Sequence, residues 1–269
     1  AGTAGFLAAM PCLNAAEVFT DTKPLKVGLV GCGGRGLGAM KNALDADPGT
    51  MVWALADVFQ ERIDFGAKLL AEQYGNRAQL DRSRLFSGLD SYKRLLQTDI
   101  DVVLLCTPPA FRPEHLAAAI DASKHIYAEK PVAVDVPGVL SVLESARLAK
   151  LKNLVILDGF CWRYDKANEE AHRKLSSGLL GRVLSFDGLY YTTPPKSPLA
   201  LDSRPSSDTD VAWALRNWTA WNWLSGGQFV EQIVHTIDGM VWSMNEQLPL
   251  AAFGSGGRAQ RRDDGDVWD

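Results

Sequence analysis

Several protein classes are excluded by what this chain has little of. Its 269 residues include four cysteines (Cys12, Cys32, Cys106 and Cys161), with none of the paired spacings of a disulfide framework or a zinc ribbon. No metal site is predicted. No apolar run approaches the ~20 residues a membrane span needs. The formal net charge is −4, and basic tracts as short as Arg261-Arg262 cannot neutralise a phosphate backbone, so no nucleic-acid partner is expected. Internal repeats and low-complexity linkers are also missing. What remains is 46% hydrophobic and 22% charged, enough for a sizeable buried core of α/β type. The length suggests two domains.

Ala1–Met10 (AGTAGFLAAM) is small and apolar, and PCLNAA follows before the first acidic residue, Glu17. This resembles the apolar and cleavage regions of an export signal. Residues 1–22 therefore read as a signal remnant or a disordered arm. The expected compartment is the periplasm or the exterior, with the cytoplasm as the alternative. From 23 to 158, apolar β-rich runs alternate with helical patterns. The strand candidates are Leu25–Val30, Met51–Ala56, Val102–Cys106, His125–Ala128 and Leu154–Leu157. In Val136–Lys150, Val139, Leu143 and Ala146 fall on one helical face. Continuous apolar strands separated by helices predict a parallel sheet covered on both faces.

The character changes over 159–269. A helix over Asp165–Ser177, a strand over Arg182–Thr192, a Pro- and Ser-rich loop, a tryptophan cluster and a helix from Gln228 to Met244 predict an α+β domain. About 110 residues follow the first domain, and the second is expected to stop partway through its sheet, leaving an apolar edge after Ala251–Ser255.

The first strand runs into Gly31-Cys32-Gly33-Gly34-Arg35-Gly36, with glycines at the G-x-G-x-x-G positions 31, 33 and 36. Gly31 permits a tight turn, Gly33 a close approach to a pyrophosphate, and Gly36 the packing of the next helix. Asp57 ends the second strand, where a carboxylate accepts from adenosine ribose hydroxyls and repels a 2′-phosphate. Arg62, one turn on, leaves NADP open beside NAD. Thr107 and Lys130 close two further strands, so both should face the crevice at the sheet's carboxyl edge. There an ammonium can polarise a hydroxyl oxygen.

The glycine loop, Asp57, Thr107-Pro108-Pro109 and Glu129-Lys130-Pro131 together resemble the glucose–fructose oxidoreductase / inositol dehydrogenase / MocA (Gfo/Idh/MocA) family. The resemblance implies a Rossmann domain followed by an open-sheet α+β substrate domain. It implies NAD, with NADP as the alternative, and hydride transfer involving a hydroxyl of a sugar, cyclitol or related polyol. Lys130 would be the catalytic lysine, with Gly34, Arg35, Pro108, His115 and Glu129 as further cofactor contacts. Glu231 and His235 stand four apart on a helix and share a face. They resemble the family's Asp-x-x-x-His motif, which implies His235 as general base. Asp238, one turn on, is expected to orient its ring. Trp162, Arg163, Tyr164, Asn217 and Trp218 are the substrate-side candidates. A homo-oligomer is expected when the protein is full length. Two other readings stand beside this one. The first is a glycosidase that retains NAD and works by transient oxidation and elimination. The second is a non-catalytic dinucleotide-binding fragment.

Overall fold

In the computed structural model, residues 23–191, 199–259 and 265–268 are described; the export-signal reading of 1–22 lies outside them. Six strands form one parallel sheet: β1 (Leu25–Val30), β2 (Thr50–Asp57), β3 (Leu85–Ser87), β4 (Val102–Leu105), β5 (His125–Ala128) and β6 (Ile156–Asp158). Their spatial order is β3-β2-β1-β4-β5-β6. The crossovers carry α1 (Gly34–Ala46), α2 (Gln60–Tyr74), α3 (Ser91–Leu96), α4 (Arg112–Asp121) and α5 (Val136–Leu151). Leu29 on β1 lies between Leu55 and Leu104 in register, and all three are buried. One core packs Leu95, Leu105, Leu116 and Ile120 together, and the other packs Met40, Leu55, Ile63 and Leu70. Burial on both faces explains why the strands read as unbroken apolar runs. The order reverses between β1 and β4, which opens a crevice at the strands' carboxyl ends.

Beyond Asp158 the described residues form helices: α6 (Lys166–Ser176), α7 (Asp210–Arg216), α8 (Asn222–Ser225) and α9 (Val234–Ser243). A π-helical turn, Phe229–Ile233, leads into α9. Asp165 caps α6 by accepting from Ala167 and Asn168, and Thr209 caps α7 by accepting from Ala212. The helical part docks on the sheet through Phe59, which packs with Leu215 and Leu224. The Arg216 guanidinium sits 3.9 Å over the Phe59 ring and pairs with Glu61 and Asp208. No helix among the described residues is long and apolar enough to cross a membrane.

Three expectations change. β3 is an additional strand, only three residues long and paired with β2. In α5 the face holding Val139 and Leu143 is exposed, while Ser145 and Ala149 are buried. This helix carries apolar residues around its circumference, so spacing alone does not select the packed side. The strand read over Arg182–Thr192 is not formed: 182–191 carries no strand, Leu184, Leu189 and Tyr191 are exposed, and Thr192 lies outside the described residues. Alternation is insufficient without a neighbouring strand to complete the ladder. No strand occurs among the described residues after Asp158, so the α+β character expected there is helical in this part. Leu248, Leu250 and Phe253 are fully exposed, on chain that forms no strand edge.

Candidate active site

The crevice is built from the ends of β1, β2, β4 and β5. Gly31 has φ of 99°, and a Cβ there would lie 2.7 Å from the Cys106 carbonyl oxygen. A Cβ on Gly36 would lie 1.8 Å from the Gly31 carbonyl oxygen, so this position admits only glycine at the loop-to-helix junction. At Gly33 and Gly34 a Cβ would meet nothing within 4 Å. Gly33 leads into α1 without a side-chain cap, leaving the helix's first amides for an acceptor in the crevice.

Asp57 is buried and bridges the loop to the next turn. One carboxylate oxygen accepts from the Cys32 amide at 2.7 Å, the other from the Phe59 amide at 2.9 Å. Burial raises its pKa, and these amides with the Arg62 guanidinium oppose the rise. Arg35 donates to Glu129 at 2.6 Å and to the Tyr127 hydroxyl at 3.0 Å. Glu129 also accepts from Tyr127 at 2.6 Å, so this carboxylate ties the glycine loop to the end of β5. His115 is buried, 3.1 Å from the Thr107 hydroxyl and packed on Tyr92 with ring centroids 4.1 Å apart. Burial and the neighbouring Arg112 charge pull its pKa down to about 3, which keeps the ring neutral. A cavity of about 210 Å³ runs along Gly31, Gly33, Gly34, Arg35, Gly36, Asp57, Thr107, Pro108 and His115, and Trp218 also lines it.

A second chamber of about 360 Å³ continues past Arg35, Thr107 and Trp218 to Glu129, Lys130, Glu231 and His235. The Lys130 ammonium donates to the Glu231 carboxylate at 2.9 Å and to the Glu231 main-chain carbonyl. The π turn presents that carbonyl beside the carboxylate. The other carboxylate oxygen of Glu231 is buried without a partner. Burial pushes the Glu231 carboxyl above the ordinary glutamate range, against the pull of Lys130. His235 is 8% exposed, stacked on Trp162 at 4.9 Å and edge-on to Phe160 at 6.1 Å. Burial and the Lys130 charge lower its pKa below 6.5, so the imidazole is neutral at pH 7.

The residues singled out from sequence do not all converge. Asp238 does not orient His235: it is held by Arg163, whose Nη2 and Nε donate to it at 2.7 and 2.9 Å. Arg163 also binds Glu246, so its fork is occupied. Trp162 braces His235 from behind the second chamber. Tyr164 is exposed and lines neither chamber. Asn217 is buried and structural, accepting from Leu199 and donating to Trp213. Only Trp218, of the five substrate-side candidates, lines both chambers.

Sequence reasoning missed Arg112, which is 1% exposed and lines the second chamber. Its signal was available: it lies on the buried stripe of α4 with His115, Leu116, Ala119 and Ile120, where a charge is out of place. Among the described residues no group of three or more His, Cys, Asp or Glu could hold a metal ion. An open glycine loop, uncapped helix amides and a carboxylate at the end of β2 fit a dinucleotide, and Lys130, Glu231 and His235 line the adjoining chamber.

Residues 25–156 match a family profile described as an oxidoreductase family with an NAD-binding Rossmann fold. The chain is 28% identical over 177 residues to a dTDP-3,4-didehydro-2,6-dideoxy-alpha-D-glucose 3-reductase of Actinomadura kijaniata, covering 65% of this chain and 48% of that one. It is 25% identical over 227 residues to an inositol 2-dehydrogenase of Salmonella typhimurium, covering 82% and 55%. It is also similar in fold to scyllo-inositol dehydrogenase from Lactobacillus casei, solved with NAD(H) and scyllo-inositol. That likeness has a TM-score of 0.58 and 22% identity, over 82% of this chain and 56% of that one. The chain thus spans about half the length of the curated relatives it matches.

Proposed function

Because the chain belongs to the Gfo/Idh/MocA oxidoreductase family through residues 25–156, we propose that it is an NAD-dependent oxidoreductase acting on a hydroxyl of a sugar, cyclitol or related polyol. The single observation that carries this reading is the meeting of Lys130, Glu231 and His235 in the chamber that continues the glycine-loop crevice. Bound there, NAD supplies the hydride acceptor for an alcohol carbon. Gly31, Gly33, Gly34 and Gly36, with the first amides of α1, hold the pyrophosphate, and Asp57 takes the adenosine ribose. Thr107, Pro108 and His115 wall the path toward the reactive end, while Glu129 acts indirectly by fixing Arg35.

Lys130 hydrogen-bonds the substrate hydroxyl oxygen and favours its alkoxide character. His235, neutral at pH 7, accepts the hydroxyl proton. The free oxygen of Glu231 accepts from a neighbouring hydroxyl and holds the ring in place. Trp162 and Phe160 fix the imidazole plane, a task the sequence assigned to Asp238. The similarity to a sugar-nucleotide reductase and an inositol dehydrogenase supports this substrate class. Reduced-cofactor absorbance at 340 nm across a panel of polyols tests the reading. NADH must accumulate with at least one polyol and vanish in Lys130→Met. Cleavage of an aryl glycoside without NADH release would instead favour the NAD-retaining glycosidase.

The apolar stretch at 1–10 supports an exported protein, periplasmic or secreted. Fractionation of the expressing cell tests that assignment.

A further inference from the structure

We infer that the second chamber takes a substrate bearing a carboxylate, and that Arg112 is the residue that binds it. The inference rests on the oxidoreductase reading above and narrows its substrate class. Three cations line this chamber, and two of them are matched: Arg35 pairs with Glu129, and Lys130 with Glu231. Arg112 is not. Its Nη1 donates to the Leu105 carbonyl at 2.7 Å and its Nε to the Pro131 carbonyl at 3.3 Å, both neutral acceptors. Among the described residues no carboxylate lies in hydrogen-bonding or ion-pairing distance of it; Glu129 and Glu231 act on it only through their more distant charges, and its Nη2 makes no hydrogen bond to them or to any other described residue.

A guanidinium that is 1% exposed and unpaired is costly, because main-chain carbonyls replace only part of its lost hydration. Such a group is stabilised when an anion arrives. The planar fork of arginine matches a carboxylate, which accepts two parallel hydrogen bonds. A single negative charge also balances the chamber, whereas a phosphate dianion would overshoot the one unmatched cation. Glu231 lines the same chamber and keeps one carboxylate oxygen buried without a donor, which a hydroxyl of the same ligand would supply on reaching it. Together the two groups describe a hydroxy acid of the sugar series, such as a uronate or an aldonate. Arg112 would select among polyols by the charge at one end, leaving the hydroxyl at Lys130 to react.

The test is calorimetry on the intact chain saturated with NAD. The ligands are sodium D-glucuronate, D-galacturonate and D-gluconate, each beside its neutral counterpart (D-glucose, D-galactose and D-glucitol), and the methyl ester of D-glucuronate. At least one acid should bind roughly tenfold or more tightly than its neutral counterpart, as one charge-assisted hydrogen bond implies. If glucuronate is that acid, its methyl ester should bind as weakly as glucose. In Arg112→Gln the preference should disappear while NAD uptake is unchanged. Equal affinity for every acid and its neutral counterpart overturns the inference, as does a preference that survives in Arg112→Gln. The comparison of ligands on the unaltered chain decides the matter even if the variant does not fold. Absence of NAD uptake by the unaltered chain would instead contradict the oxidoreductase reading itself, so the two failures are distinguishable.

Discussion

At the scale of single residues, the proposed chemistry rests on Lys130 and His235, which line the same chamber. Lys130 sits against a carboxylate and a carbonyl, and its replacement by Met should lower kcat by roughly 10²–10⁴-fold. The affinity for NAD, measured by fluorescence titration, should change little. His235 is the proposed base in its neutral form, and burial holds its pKa below 6.5. The acidic limb of kcat/KM should therefore fall below pH 6.5. Trp162→Ala, which admits water to the ring, should move that limb up toward 6.5. A limb that stays in place would separate the titration from His235. His115 carries a stability consequence. Its pKa is about 3 in the folded chain, whereas the unfolded imidazole titrates near 6.5. Between those values the unfolded chain binds more protons, so stability falls as pH drops from 6.5 toward 3, by up to about 1.4 kcal/mol per pH unit. Urea denaturation across that window should show a shallower slope for His115→Asn than for the unaltered chain.

At the scale of elements, the strand–glycine loop–helix unit is the most demanding construction. Gly36→Ala places a Cβ 1.8 Å from the Gly31 carbonyl, so it should reduce or abolish NAD binding and lower the melting temperature. Gly33→Ala meets nothing within 4 Å and should leave the melting temperature nearly unchanged while weakening NAD binding, because the methyl group enters the crevice. A loss of stability equal to that of Gly36→Ala would contradict the assigned roles. These elements were legible in sequence because β1, β2, β4 and β5 are buried on both faces and leave unbroken apolar runs. β3 was not, since Leu85-Phe86-Ser87 is too short to carry a pattern. The α5 face was misread because Val139, Leu143 and Ala146 imitate a core stripe yet face solvent. Four-residue spacing put Glu231 and His235 on one face, and the family resemblance singled the pair out. Two other features depend on tertiary contacts that spacing cannot express: the bracing of His235 by Trp162 and the capture of Asp238 by Arg163. Arg112 was visible as a charge on an apolar stripe, but its unmatched burial appears only once β4 and the Lys130-Pro131 turn close around it.

At the scale of the whole molecule, several large apolar side chains lie exposed outside the crevice. Val136, Leu140, Leu143 and Leu151 on α5 are exposed, as is Val155 just beyond it. Adjoining apolar groups of this kind favour self-association. Sedimentation velocity should show a mass that rises with concentration, and Leu140→Lys with Leu143→Glu should reduce that rise; a monomer at all concentrations would refute this expectation. The crevice requires both parts of the chain, because Lys130 follows β5 by two residues whereas Glu231 and His235 come from the turn and helix after α8. Its central requirement is a dinucleotide lying across the carboxyl edge of the sheet with Asp57 at its ribose. Isothermal titration calorimetry of NAD into the purified chain tests this most directly. One NAD should bind per chain, more tightly than NADP, with the preference lost in Asp57→Ala. No uptake of either nucleotide by folded protein that carries none already would contradict the account.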